Sequence, residues 1–209
     1  MSSKRPPILV LVLAAAFLLL VASLVMGSLR TPELPPYTPT VPTPVAVGDS
    51  MVGPALYTLD ASAGERWTRF DFGQNAVVDS TSSSWDLGFS RNHMIAGPGA
   101  TIADLGAVPF DSVAEAPETG YRENSTVGSE SNPAVGKWYD YSFISHLLTS
   151  RHHVYAVRTG DGRYAKLELL NYYCKGVGAA CITFRYTYQG RGPRGEPGAS
   201  GNTARLLRR

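Results

Sequence analysis

Few side chains in this sequence are suited to chemistry. There are four histidines, His93, His146, His152 and His153, and two cysteines, Cys174 and Cys181. Imidazole and thiolate are metal ligands, and imidazole is also a general base. Met94 follows His93 directly, so one segment offers an imidazole and a thioether side by side. A structural zinc site takes four ligands at short spacing. The cysteines do not supply one: "KGVGAA" separates them, with no further ligand nearby in sequence. That spacer holds two glycines between strand-like runs, which brings two thiols within bridging distance. In an exported domain the expectation is a Cys174–Cys181 disulfide. His152 and His153 open a strand and point to opposite faces, so at most one can join a given site.

One candidate nucleophile exists. "VAVGDSMVG", 45–53, places Ser50 in a Gly-Asp-Ser block similar to that of a class of hydrolases. That chemistry also needs a histidine base, an orienting acid and oxyanion donors. The late Asp-x-x-His pair and the Gly-x-Asn-Asp block are both missing. After a run of prolines, Gly-Asp-Ser is ordinary turn chemistry. No paired carboxylates or phosphate loop occur elsewhere, and the expectation is a protein that is not an enzyme.

The elements around these residues begin with an anchor. Residues 8–27 are about twenty residues without a charge. At ~1.5 Å per residue they span a ~30 Å hydrocarbon core. A cleavable leader has a shorter apolar region, about 7–15 residues, so a retained transmembrane helix is expected. No cysteine follows the run, which speaks against a lipid anchor. Lys4 and Arg5 precede it and only Arg30 follows. Residues 1–7 are therefore expected in the cytoplasm and the remainder across the membrane. Residues 28–47 are proline-rich and read as an extended, semi-rigid stalk, since proline lacks an N–H donor. Residues 190–209 repeat Gly, Pro and Arg and end in "ARLLRR". Arg205, Arg208 and Arg209 are candidate contacts with anionic lipid or an acidic partner. The body between stalk and tail is mildly acidic, which argues against nucleic acid.

The body, 48–189, is dominated by period-2 alternation. "ALYTLD" and "RWTRFDF", separated by "ASAGE", have the spacing of a hairpin. "SWDLGFS" reads as a short strand, and 96–136 as loops with one helical turn near 111–116. "KWYDYSF", "HVYAVRT", "RYAKLELLNYY" and "CITFRYTYQ" read as four strands. In "ITFRYTY", Ile182, Phe184, Tyr186 and Tyr188 share one face, and Thr183, Arg185 and Thr187 the other. The predicted class is mostly β: an antiparallel meander or sandwich behind one transmembrane helix and a proline-rich stalk.

"WDLGF" (85–89), "KWYDY" (137–141), "SHLLT" (145–149) and "YAVRTGDGRYAKLELLNYY" running into "TFRYTYQ" are the residues through which roughly 50–189 resembles the HmuY-like family of exported bacterial proteins. The resemblance implies an all-β domain that carries haem between loops, through two axial side chains, typically His with His or Met. On this sequence the candidate ligands are His93 or Met94 together with His146. The glycine-rich loop expected after "WDLGF" departs from the family pattern.

Two functions are open at this stage. The architecture of helix, stalk, β domain and basic tail suggests an accessory, non-catalytic subunit of an inner-membrane assembly, photosynthetic or respiratory. Its partners would be integral membrane subunits and lipid, it would hold no cofactor, and its domain would be periplasmic. The alternative, implied by the resemblance, is a membrane-tethered haem-binding protein.

Overall fold

A computed structural model describes residues 7–29, 52–64, 66–125, 131–174 and 178–188. Ser50, most of the proline-rich segment, residues 1–6 and the tail with Arg205, Arg208 and Arg209 lie outside the described residues. Helix α1, Ile8–Leu29, holds the apolar run as one continuous helix. Its apolar side chains are exposed all round. Such a helix has no wet face to present to water, and it buries itself only in a bilayer or against another protein.

Eleven strands follow among the described residues: β1 (Val52–Asp60), β2 (Thr68–Asp71), β3 (Ala76–Val78), β4 (Leu87–Ser90), β5 (His93–Ala96), β6 (Thr101–Asp104), β7 (Tyr139–Tyr141), β8 (Leu148–Ser150), β9 (Val154–Arg158), β10 (Tyr164–Tyr173) and β11 (Ala179–Tyr188). They form a five-stranded sheet in the order β1-β11-β10-β9-β6, a four-stranded sheet in the order β3-β2-β4-β5, and the separate hairpin β7-β8. Every pairing is antiparallel.

Alternation explains why the sheets pack. Ile182, Phe184, Tyr186 and Tyr188 of β11 are buried on one face, with Tyr57 and Leu59 of β1 and Leu167 and Leu169 of β10 beside them. The four-stranded sheet presents Phe70, Leu87, Phe89 and Met94, and Phe72 follows directly after β2. The two faces meet through aromatic rings. Phe70 stands edge-on to Tyr57 at 4.7 Å and to Phe184 at 5.2 Å, and Phe89 stacks on Phe184 at 5.5 Å. Edge-to-face and offset contacts are the arrangements the ring quadrupoles favour. The mostly β, antiparallel sandwich is as predicted, and so are strands β9, β10 and β11.

Three expectations fail. β1 and β2 are not a hairpin: β1 pairs with β11, and β2 lies in the other sheet. The chain crosses between the sheets at Ala61. Its N–H donates to the Ala180 carbonyl beside β1, while its carbonyl accepts from Arg91 N–H at the β4–β5 turn. The segment after "WDLGF" is not a loop but strand β5, in register with β4. Part of 96–136 is strand β6, which pairs with β9, and the helical turn is a 3-10 turn at Phe110–Ser112.

Cys174 and Cys181 are bonded to each other, with Cα atoms 4.8 Å apart. The bridge clips the turn between β10 and β11. Closing so short a loop removes few unfolded conformations, so Cys174→Ser/Cys181→Ser is expected to lose only about 2 kcal/mol. Urea unfolding of the two proteins measures this, and an unchanged midpoint would rule out a stabilising role for the bridge.

Candidate functional site

The β7–β8 hairpin stands apart from both sheets and is held at its base. Trp138, buried, donates its indole N–H to the Asn92 carbonyl at 2.9 Å. The Asn92 amide donates to Tyr139 Oη at 2.7 Å. On the far side, Tyr173 Oη accepts the Leu148 N–H at 2.7 Å, and Ser150 Oγ donates to the Leu169 carbonyl of β10. The aromatic residues read from "KWYDY" and "LLNYY" therefore serve to brace a hairpin.

His146 sits in the turn at the end of this hairpin. Its backbone lies in the left-handed region at φ 57°, unusual for a residue with a Cβ. The turn enforces it: His146 N–H donates to the Ser142 carbonyl, and Ser142 N–H to the Leu147 carbonyl, both at 2.8 Å. The imidazole Nδ1 pairs with Tyr141 Oη at 2.6 Å. The rings of Tyr141 and Phe143 lie 6.0 and 6.1 Å from it. A hydroxyl on Nδ1 fixes the ring orientation and leaves Nε2 as the nitrogen for an outside partner, the arrangement seen around metal-bound imidazoles.

The other candidates lie elsewhere. His93 is exposed at the start of β5, paired with Ser90. Met94, the next residue, points the opposite way and is only 3% exposed within the aromatic core. Strand alternation separates two residues that a loop would have kept together. The Met94 thioether is packing, closed to any ligand at the surface. His152 Nδ1 meets Glu168 Oε1 at 2.9 Å, and His153 Nδ1 meets the Asp104 carboxylate at 3.0 Å. Both of those histidines have carboxylate partners. No cluster of three or more His, Cys, Asp or Glu that could hold a metal ion occurs among the described residues.

Among the described residues, no histidine or methionine lines the three clefts that follow. The first, about 600 Å³, is walled by Trp67, Trp85, Pro98 and Asn124, with the Arg69 guanidinium 5.1 Å from the Trp85 ring centre. The second, about 410 Å³, holds Asp71, Asp86, Asp161, Arg163 and Tyr188. There Asp86 Oδ2 accepts the Phe72 N–H at 2.8 Å. Burial pushes the Asp86 carboxyl up to about 7, aided by Asp71 and Asp161 and opposed by the Phe72 bond and Arg163. The third is lined by Asp104, Gly120, Arg122, Pro133 and Ala134. The outer face of the large sheet carries a further charged group. Lys166 is buried there, donating to the Phe110 and Val113 carbonyls at 2.9 and 3.0 Å, and burial lowers its pKa.

Sequence reading picked out His146 but not its setting. Tyr141, Phe143 and Ile144 surround it, fully or half exposed. The available signal was an apolar run, "YSFI", placed where a polar turn belongs.

Comparison with known proteins matches the HmuY protein family model to residues 63–186. No curated protein sequence matches the chain. Among solved structures, the apo HmuY analogue of Tannerella forsythia is 14% identical with a TM-score of 0.59, covering 69% of this chain and 99% of that one. A candidate HmuY-like haem-binding protein of Bacteroides vulgatus is 23% identical with a TM-score of 0.56, covering 65% and 92%. Apo PinO of Porphyromonas gingivitis is 12% identical with a TM-score of 0.56, covering 68% and 99%. These likenesses concern the fold.

Proposed function

This chain belongs to the HmuY family, and from that premise we propose that it is an exported, membrane-tethered, non-catalytic protein that binds haem through the His146 imidazole at the tip of the β7–β8 hairpin. The observation that carries the reading is the Tyr141 hydroxyl on Nδ1 of the exposed His146, which leaves Nε2 for an outside partner beside two exposed aromatic rings. Imidazole is a haem ligand, and aromatic side chains suit the face of a macrocycle. Met94 is closed off in the core, and the two cysteines are spent on each other, which leaves His146 as the donor. His146 would hold the iron, Tyr141 would orient the imidazole, and Phe143 would cover an apolar flank. Bound haem would supply the iron chemistry; the residues here only bind and orient it.

The tether is α1, whose residues Ile8–Gly27 are long and apolar enough to cross a bilayer once. Lys4 and Arg5 before the span favour a periplasmic position for the β domain, outside an inner membrane. The accessory-subunit reading draws no support from the fold or the family, and haem binding accounts for both better.

Titration of the full-length protein with haemin, followed at the Soret band, tests the proposal. His146→Ala is expected to abolish the shifted band, and His93→Ala to keep it. Loss in both variants would restore a two-histidine pair. An unchanged band in His146→Ala, or no band in the unsubstituted protein, would refute binding at the tip.

A further inference from the structure

Turns run over the surface with their backbone groups in water and are normally polar. The turn between β7 and β8 is apolar. Phe143 is 79% exposed, Ile144 60% and Tyr141 52%, the three most exposed large apolar residues of the described chain outside α1. The turn holds them in place: besides its two backbone bonds, Ser145 N–H donates to Ser142 Oγ at 3.2 Å. A fixed apolar projection is unfavourable in water and calls for an occupant.

The end of α1 indicates which occupant. Gly27 closes the Ile8–Gly27 span. Such a span, ~30 Å long, fills the hydrocarbon core from one boundary to the other. Gly27 therefore marks one hydrocarbon–water boundary. Ile144 lies against it: a Cβ built on Gly27 would sit 2.6 Å from Ile144 Cγ2, so the turn and the helix end approach closely there. The tip is thus level with the boundary, where amphipathic aromatic side chains concentrate. We propose that the β7–β8 tip is seated in the lipid interface at the C-terminal end of α1, with Phe143 and Ile144 among the acyl chains and Tyr141 at headgroup level. The seat gives the β domain a second membrane contact and a fixed orientation, with the hairpin towards the lipid and the β3 edge away from it. The inference rests on α1 and the turn alone and concerns the haem-free protein, since Phe143 cannot face acyl chains and flank haem at once.

The test uses the full-length protein in phosphatidylcholine–phosphatidylglycerol vesicles whose acyl chains are brominated, without haemin. Phe143→Trp is expected to add a blue-shifted emission that brominated lipid quenches, beyond the signal of the three native tryptophans. Val77→Trp, at an exposed position of β3, is expected to add emission that brominated lipid leaves alone. Quenching confined to the Phe143→Trp signal supports the seat. Equal quenching of both, or of neither, overturns it.

Discussion

Phe184→Ala is expected to lose about 3–5 kcal/mol of unfolding free energy, the usual range for truncating a buried phenylalanine. Phe184 is fully buried, and its position explains why the loss falls at the high end. It lies in β11 opposite Tyr57 of β1 on one side and Leu169 of β10 on the other. Its ring meets Tyr57 at 5.8 Å within its own sheet, and Phe70 and Phe89 at 5.2 and 5.5 Å across the sandwich. Truncation removes two of the ring contacts that join the sheets. The void is walled by rings anchored on three different strands, and rigid aromatic neighbours close little of it. Phe184→Leu keeps most of the volume, and only about 1–2 kcal/mol should be lost. Urea unfolding followed by tryptophan fluorescence measures both. A loss below about 1 kcal/mol for the alanine variant would show that the sheets do not depend on this ring cluster.

The same strand shows why part of the fold was legible in the sequence. "ITFRYTY" alternates strictly, because one face of β11 meets the core and the other meets a thinner cover. Gly162, at φ 83°, supplies the turn that "TGDG" announces before β10. "HMIAGPGATIAD" shows no such alternation. Met94, Ile95 and Ala96 are buried in succession, as are Ile102 and Ala103, because β5 and β6 are covered on both sides. A Cβ on Gly97 would overlap the Trp85 carbonyl, so its glycine reflects close backbone approach and not a loop. The β1–β2 error has another origin. Hairpin spacing is local information, whereas the crossing at Ala61 is fixed by partners at Ala180 and Arg91, far away in sequence.

The candidate site was legible to the same degree. A histidine in a turn can be found by inspection, and His146 was. Its orientation by Tyr141 depends on an i, i+5 contact across a turn whose backbone no sequence pattern announces. Met94 was read as a loop residue because "GPG" follows at 97–99. Once β5 is a strand, His93 outward means Met94 inward. The buried charges were invisible for a related reason. Lys166 and Asp86 occupy positions that alternation or turn chemistry marks as wet, and only the tertiary cover over them reveals otherwise.

That cover has a consequence for pH. The Asp86 carboxyl titrates at about 7 in the folded protein, against an ordinary value of 3.8. Between these values the folded state holds a proton that the unfolded chain has released. Stability from this group is therefore complete below about pH 4 and declines as pH rises towards 7, levelling off above it. Each pH unit in that window is worth about 1.4 kcal/mol, so the full decline is up to about 4 kcal/mol. Asp86→Asn removes the ionisation and keeps an oxygen to accept the Phe72 N–H. Near pH 8 the variant is expected to be more stable than the unsubstituted protein by about 2 kcal/mol, since a neutral acceptor gives back part of the gain. Near pH 4 the two should agree within about 1 kcal/mol, because both side chains are then neutral. All other carboxylates are common to the pair, so the difference between their stability curves isolates Asp86. Parallel curves from pH 4 to 8 would mean that Asp86 titrates as an ordinary carboxylate. Asp71, Asp161 and Arg163 would then balance one another around it, and the cleft would be wetter than its walls suggest.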